Sequence, residues 1–312
     1  MNKRHFIKKA VSGMLAIALV LSMIIAVPAE AKTMKVLYTV KTVDYGINSN
    51  GNWYKSGVST SSYNKKGQNT KHEYVGYDTD GSKNYSYKYT YTYDKKGRTK
   101  VDKDFESGKL TSVSKYSYKG RKTVVKQYDG NNKFIGKTVS TSSKNKFVSK
   151  YYDAKGNLTG RYESTNSKNK TVGKDYNAKG KLTYKWVSTF KNGKQKKSES
   201  TGYNEDGKVN YKYTTTYSYK GKTVTSTSIY KSGSNTNKSV AKYKSDKSGR
   251  PIYSWRKEYD SDGKLVSSYT YKYTKFKKGA AKGCVKEQIE YRNGEKYSKS
   301  VFTLKQFKVK VN

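Results

Sequence analysis

The residues that could do chemistry in this chain are few, and their spacing limits what that chemistry can be. Beyond position 31 there is one histidine, His72, so any Ser-His-Asp or Cys-His arrangement, or any histidine-based metal cluster, would have to be built on it. The carboxylates stand mostly in turn-like contexts such as Asp78-Thr-Asp80-Gly81 and Asp260-Ser-Asp262-Gly263. Both stretches echo the start of a calcium loop. The twelfth position of each, where an EF-hand needs a bidentate Glu, is Tyr89 or Tyr271 instead. Paired carboxylates for glycoside hydrolysis would have to face each other across a cleft, which turn residues strung along a sheet edge do not do. The expectation is a protein that is not an enzyme, with no catalytic residue, no metal and no cofactor.

What remains is the surface chemistry of aromatic and basic groups. Tyr85, Tyr87, Tyr89, Tyr91 and Tyr93 occupy every second position with Ser, Lys and Thr between them, which in an extended chain puts all five rings on one face. Tyr211, Tyr213 and Tyr217, and Tyr269, Tyr271 and Tyr273, repeat the pattern. A tyrosine face flanked by lysines could stack on sugar rings and hold phosphate or carboxylate groups. The same rings also make good cross-strand pairs, so they could equally be structural.

The elements that carry these tyrosines are hairpins. Strict alternation has no helical reading, and Asp94-Lys-Lys-Gly97 then reverses the chain, with Gly at the left-handed position. The recurring turn is aromatic, Asp or Asn, two residues, Gly, a further residue, then an aliphatic. Copies begin at Tyr152, Tyr176, Tyr203 and Tyr259. A type I turn with a bulge pairs Tyr152 with Leu158. The two-residue loop Ser107-Gly108 pairs Glu106 with Lys109 and Phe105 with Leu110, and Asn192-Gly193 and Asn293-Gly294 read as type I′ turns. Ser143 to Lys146 and Ser167 to Lys170 do the same job without Gly. A turn arrives about every twelve to sixteen residues, and long and short turns are expected to alternate on opposite edges of one sheet.

Composition bears on compartment and core. Lys3, Arg4, Lys8 and Lys9, an apolar run from Met14 to Val27, and Ala29-Glu-Ala31 read as a secretory signal peptide over residues 1–31 with cleavage after Ala31. Four of the 66 basic and one of the 23 acidic residues fall in that segment, which leaves a formal +40. Leu, Ile, Val and Phe make up roughly a seventh of the remainder, a level that usually means no packed core. The 33 tyrosines at strand period override that warning, because a ring can be buried while its hydroxyl stays wet. Cys284, the only cysteine, rules out an intramolecular disulfide and reads as a small half-buried side chain or a link between two chains. Residues 32–60 read as irregular N-terminal entry strands, opening with a strand candidate at Val36 to Val43, and 61–312 as the hairpin repeat domain. Pro251 follows Gly249, where the first residue of a strand tolerates it. The fold class is all-β: an antiparallel meander of repeated hairpins in one long twisted or curled sheet, with no helix after the signal peptide.

Over roughly residues 60–300, Lys88 to Arg98 and Lys115 to Arg121 resemble the YD repeats of bacterial RHS-type secreted proteins, and more weakly MORN-like repeats. The resemblance implies a β-sheet that curls into a shell around a toxic C-terminal domain. This chain is too short to close such a shell, and about eighteen residues after Asn293-Gly294 leave no room for a toxin. The readings together predict a non-enzymatic exported repeat protein, secreted or held at the cell envelope. It would bind anionic cell-wall polymers or acidic glycans through a Lys/Tyr-rich sheet. The alternatives are a glycan-binding module or adhesin using the tyrosine faces, and a secreted fragment related to RHS-type toxins. No specific nucleic acid and no transmembrane insertion after processing is expected, and free sheet edges would allow pairing with a second copy.

Overall fold

The computed structural model describes residues 33–310. The signal peptide expected over residues 1–31, with Ala29 and Ala31, lies outside them. The described chain is a single succession of twenty antiparallel strands. The first ten are β1 (Thr33–Ile47), β2 (Trp53–Tyr63), β3 (Asn69–Tyr77), β4 (Lys83–Tyr93), β5 (Thr99–Glu106), β6 (Lys109–Lys119), β7 (Lys122–Asp129), β8 (Phe134–Ser142), β9 (Lys146–Asp153) and β10 (Leu158–Asn166). The second ten are β11 (Lys170–Asn177), β12 (Leu182–Lys191), β13 (Lys194–Tyr203), β14 (Val209–Lys220), β15 (Thr223–Ser232), β16 (Asn235–Ser245), β17 (Pro251–Tyr259), β18 (Leu265–Lys275), β19 (Val285–Arg292) and β20 (Glu295–Lys310).

Each strand is built by its turns. In the long turns an Asp or Asn accepts from the backbone of the two positions it must hold, as Asp94 does from Lys96 and Arg98 at 2.9 Å. Gly97 then takes a φ of +77° that other residues resist. Tyr152 pairs with Leu158, Phe105 with Leu110 and Glu106 with Lys109, as the turn chemistry requires. Asn192 and Asn293 both have positive φ, as a type I′ turn needs. Pro251 opens β17 opposite Ser245. Cys284 is half-buried and immediately precedes β19. The expected alternation of long and short turns holds only in part: the turns opening at Asn48, Asn64, Asp78 and Asp94 are all long, the two-residue loops after Lys220 and Ser232 follow one another, and so do the long turns at Asp246 and Asp260. The N-terminal section holds β1 and most of β2.

The sheet is not open. β1 pairs with β2 on one side and with β20 on the other, from Thr33 opposite Lys310 to Gly46 opposite Ser298. This closes the meander into a barrel and corrects the expectation of a long open or merely curled sheet. The physical reason is that closure satisfies the backbone groups of both end strands, which an open sheet would leave unpaired. Twenty strands at about 4.8 Å spacing and the usual tilt close at a diameter of roughly 40 Å, too wide for their own side chains to fill. The burial agrees. Val113, Ala241 and Val309 are the buried apolar residues, and no large side chain among the described residues is fully buried.

Candidate functional site: the lumen

Following the ladder partners all the way round assigns every central strand position to one of two faces. One face carries Tyr, Ser, Gly and carboxylates. It includes Tyr74 opposite Tyr87, Tyr91 opposite Asp102, Gly173 opposite Trp186, Thr215 opposite Ser228 and Ser254 opposite Tyr271. The other carries Lys, Thr and Val, as in Thr90 opposite Lys103, Lys115 opposite Lys126, Val172 opposite Val187 and Val240 opposite Lys257. Lysine and the alternating strand tyrosines are thus separated across a single wall.

The handedness of the wall says which face is inside. The Ser86 carbonyl accepts from Ser107 N–H, so Lys-face residues of the even strands turn their peptide groups toward the following strand, and Tyr-face residues toward the preceding one. The ladder, followed from Asp44 once around the ring, returns to β1 displaced toward its C-terminal end. With L-residues and the right-handed strand tilt of barrels, this combination puts the tyrosine face in the lumen. The most buried polar positions lie on the same face, where side chains converge: Ser267 is 3 % exposed and Ser149 and Ser254 are each 4 % exposed.

All eleven tyrosines singled out from the sequence face the lumen: Tyr85, Tyr87, Tyr89, Tyr91, Tyr93, Tyr211, Tyr213, Tyr217, Tyr269, Tyr271 and Tyr273. They form separate stretches of the wall and not one patch. Several rings lie over small residues of the neighbouring strand. A Cβ on Gly76 would meet the Tyr85 ring at 2.6 Å, and one on Gly202 would run into the Tyr211 ring. They nevertheless stay wet, with Tyr85 40 %, Tyr87 38 % and Tyr213 39 % exposed. Partial burial raises the phenol pKa of Tyr89, Tyr91, Tyr93 and Tyr211, and pushes that of Tyr271 up to about 12.

The lumen also holds carboxylates that the turn-centred reading of the sequence passed over. Asp102 and Asp104 face inward from β5, and their spacing of two within Thr99–Glu106 is the signal that could have placed them there. Each inward carboxylate tends to be held by a hydroxyl from an adjacent strand. Tyr116 donates to Asp102 at 2.5 Å, Ser112 to Asp104 at 2.8 Å, Ser300 to Asp44 at 2.6 Å, Ser267 to Glu258 at 2.8 Å and Ser298 to Glu290 at 3.2 Å. Burial raises the pKa of Asp44, Asp175 and Glu290. His72 belongs to the same wall. It shares a hydrogen bond with Ser61 at 2.9 Å, stacks on Tyr89 with centroids 6.3 Å apart, and has its pKa lowered by burial. The carboxylates of Asp78 and Asp80 serve their own turn, accepting from Asn84 at 2.7 Å and Ser82 at 2.8 Å.

Outside, the turn tyrosines form a second class. Tyr152 pairs with Leu158, Tyr176 with Leu182, Tyr203 with Val209 and Tyr259 with Leu265 at one mouth. A neighbouring cation covers several of these rings: Lys137 over Tyr152 at 5.1 Å, Arg161 over Tyr176 at 4.4 Å and Lys238 over Tyr259 at 6.0 Å.

No family model matches the chain, and no curated protein matches it. Among solved structures, it is similar to a mutant porin of Rh. blastica at 8% identity and a TM-score of 0.37, over 88% of this chain and 100% of that one. It is also similar to porin-like proteins from Bacteroides uniformis and Bacteroides vulgatus, at 11% and 12% identity with TM-scores of 0.30. These cover 86% and 61% of this chain and 98% and 93% of theirs. Closure of the sheet corrects the expected function. A wall-binding or glycan-binding protein that works through one open Lys/Tyr-rich sheet needs both residue types on one accessible surface. Here the closed wall puts the alternating strand tyrosines inside and the central lysines outside.

Proposed function

We propose that the chain works as a hollow, water-filled barrel that admits small polar solutes to a tyrosine- and carboxylate-lined lumen, with no chemical step. The observation that carries this reading is the closure of β1 on β20 around an inner face on which Tyr85, Tyr87 and Tyr213 remain about two-fifths exposed and no large side chain among the described residues is fully buried. The outer face favours an aqueous setting. Lys88, Lys103, Lys115, Lys150, Lys174 and Lys242 stand at central strand positions, and each would cost about 2–4 kcal/mol at a bilayer midplane. A pore in a membrane is the second reading, favoured by the collar of outward Tyr–aliphatic pairs at one mouth, where such barrels carry aromatic girdles.

Solution scattering tests the hollow barrel. The scattering curve should show the deep minimum of a hollow cylinder, and a curve that fits a solid particle of the same mass sinks the reading. Detergent-free protein added to planar bilayers should give no conductance steps. Regular steps would replace the aqueous container with the pore.

A further inference from the structure

We infer that the lumen selects cations, even though the chain as a whole carries a formal +43. This names the solute class of the site just proposed and rests on that reading. The argument is the separation of charge across the wall. Asp44, Asp102, Asp104, Asp175, Glu258 and Glu290 face inward, while the lysines paired along the central parts of the same strands face outward. Cations on the inner face are matched there: Lys109 stands opposite the inward Glu106 beside the Ser107-Gly108 turn, and two arginines are engaged by inner-face groups. Arg256 is ion-paired with Glu258, and the Arg292 guanidinium lies 5.6 Å from the centroid of the Tyr269 ring. Arg292 over Tyr269 is a built example of what a lumenal ring offers a cation.

The carboxylates are also fixed. A hydroxyl donor from an adjacent strand holds five of the six, which orients each carboxylate without neutralising it. A ring of oriented carboxylates interleaved with π faces in a water-filled passage concentrates cations and repels anions. The outer lysines act on the opposite side of the sheet, across solvent on both faces, where screening is strong. Inorganic and organic monovalent cations fit this lining, the organic ones gaining the additional contact with tyrosine faces.

The three tryptophans supply the test. Trp186 faces the lumen over Gly173, whereas Trp255 faces outward opposite Lys242, with Lys257 5.9 Å from its ring. A Trp53→Phe, Trp255→Phe variant leaves Trp186 as the inner reporter, and a Trp53→Phe, Trp186→Tyr variant leaves Trp255 as the outer one. Circular dichroism checks that both keep the barrel. Acrylamide, which is neutral, should quench Trp186; if it cannot, the water-filled lumen itself is wrong. If acrylamide enters, caesium should quench Trp186 severalfold better relative to iodide than it quenches Trp255. Asp175→Asn, one ladder step from the reporter, should lower that ratio. Iodide quenching of Trp186 that matches or exceeds caesium quenching, at constant ionic strength, would overturn cation selection while leaving the hollow barrel standing.

Discussion

Glu290 shows how a lumenal carboxylate couples to stability. It faces inward from β19, accepts from Ser298 and is pushed above the ordinary carboxylate range by burial, with Arg292 opposing that shift. Its proton is therefore held more tightly in the barrel than in the unfolded chain. The resulting stabilisation is complete below about pH 4 and is lost as pH rises through the folded value. Glu290→Gln, which keeps shape and hydrogen bonding but does not titrate, should match or exceed the wild-type urea midpoint at pH 7. That advantage should shrink toward pH 4. A variant less stable than wild type at pH 7 would mean that the contacts to Ser298 and Arg292 outweigh the burial. The turn carboxylates run the other way. Asp94 and Asp153 are held below the usual range, Asp94 first by the Arg98 backbone and Asp153 first by the Asn157 side chain, and what they contribute fades as pH falls through their folded values.

At the scale of the element, much was legible because hairpin chemistry is local. Asp94 and Gly97 specify their turn within five residues, and Tyr85 to Tyr93 specify their common face by alternation alone. What the sequence did not disclose is the seam. The pairing of Asp44 with Ser300 joins residues 256 apart, and no turn residue encodes it. Nor does alternation say which of two faces is concave; that follows from the stagger accumulated over the whole ring. The inward Asp102 and Asp104 needed only the period-two count already applied to the tyrosines. The seam yields its own prediction. Deleting β20 leaves β1 and β19 with unpaired edges, and the tilt and stagger of twenty strands do not suit nineteen. The truncated chain should associate into dimers or larger species in sedimentation, while full-length protein stays monomeric. A monodisperse monomer of the truncated form would show that the ring closes without its last strand.

For the whole molecule, the outer face sets the response to salt. Its lysines far outnumber its acids, and the ion pairs there are few and exposed: Lys71 with Glu73 at 2.8 Å, and Glu199 with Lys197 at 3.1 Å and Lys212 at 3.2 Å. Such pairs contribute about 0–1 kcal/mol each, and salt weakens them. Repulsion among the remaining lysines acts around the entire circumference and is relieved when the chain unfolds and expands. With a thin apolar core to oppose it, repulsion is the larger of the two salt-dependent terms. Raising NaCl shortens the screening length from about 30 Å at 0.01 M to about 10 Å at 0.1 M, first below the width of the barrel and then toward the spacing of lysines on adjacent strands. The melting temperature should therefore climb steeply over that interval and flatten beyond it. A melting temperature that falls as NaCl is added would mean that attractive pairs, and not the lysine excess, govern the wall. Replacing Lys103, Lys115 and Lys126, which adjoin one another on the outer face of β5 to β7, by Gln should reproduce part of the same rise at low salt without any added ions.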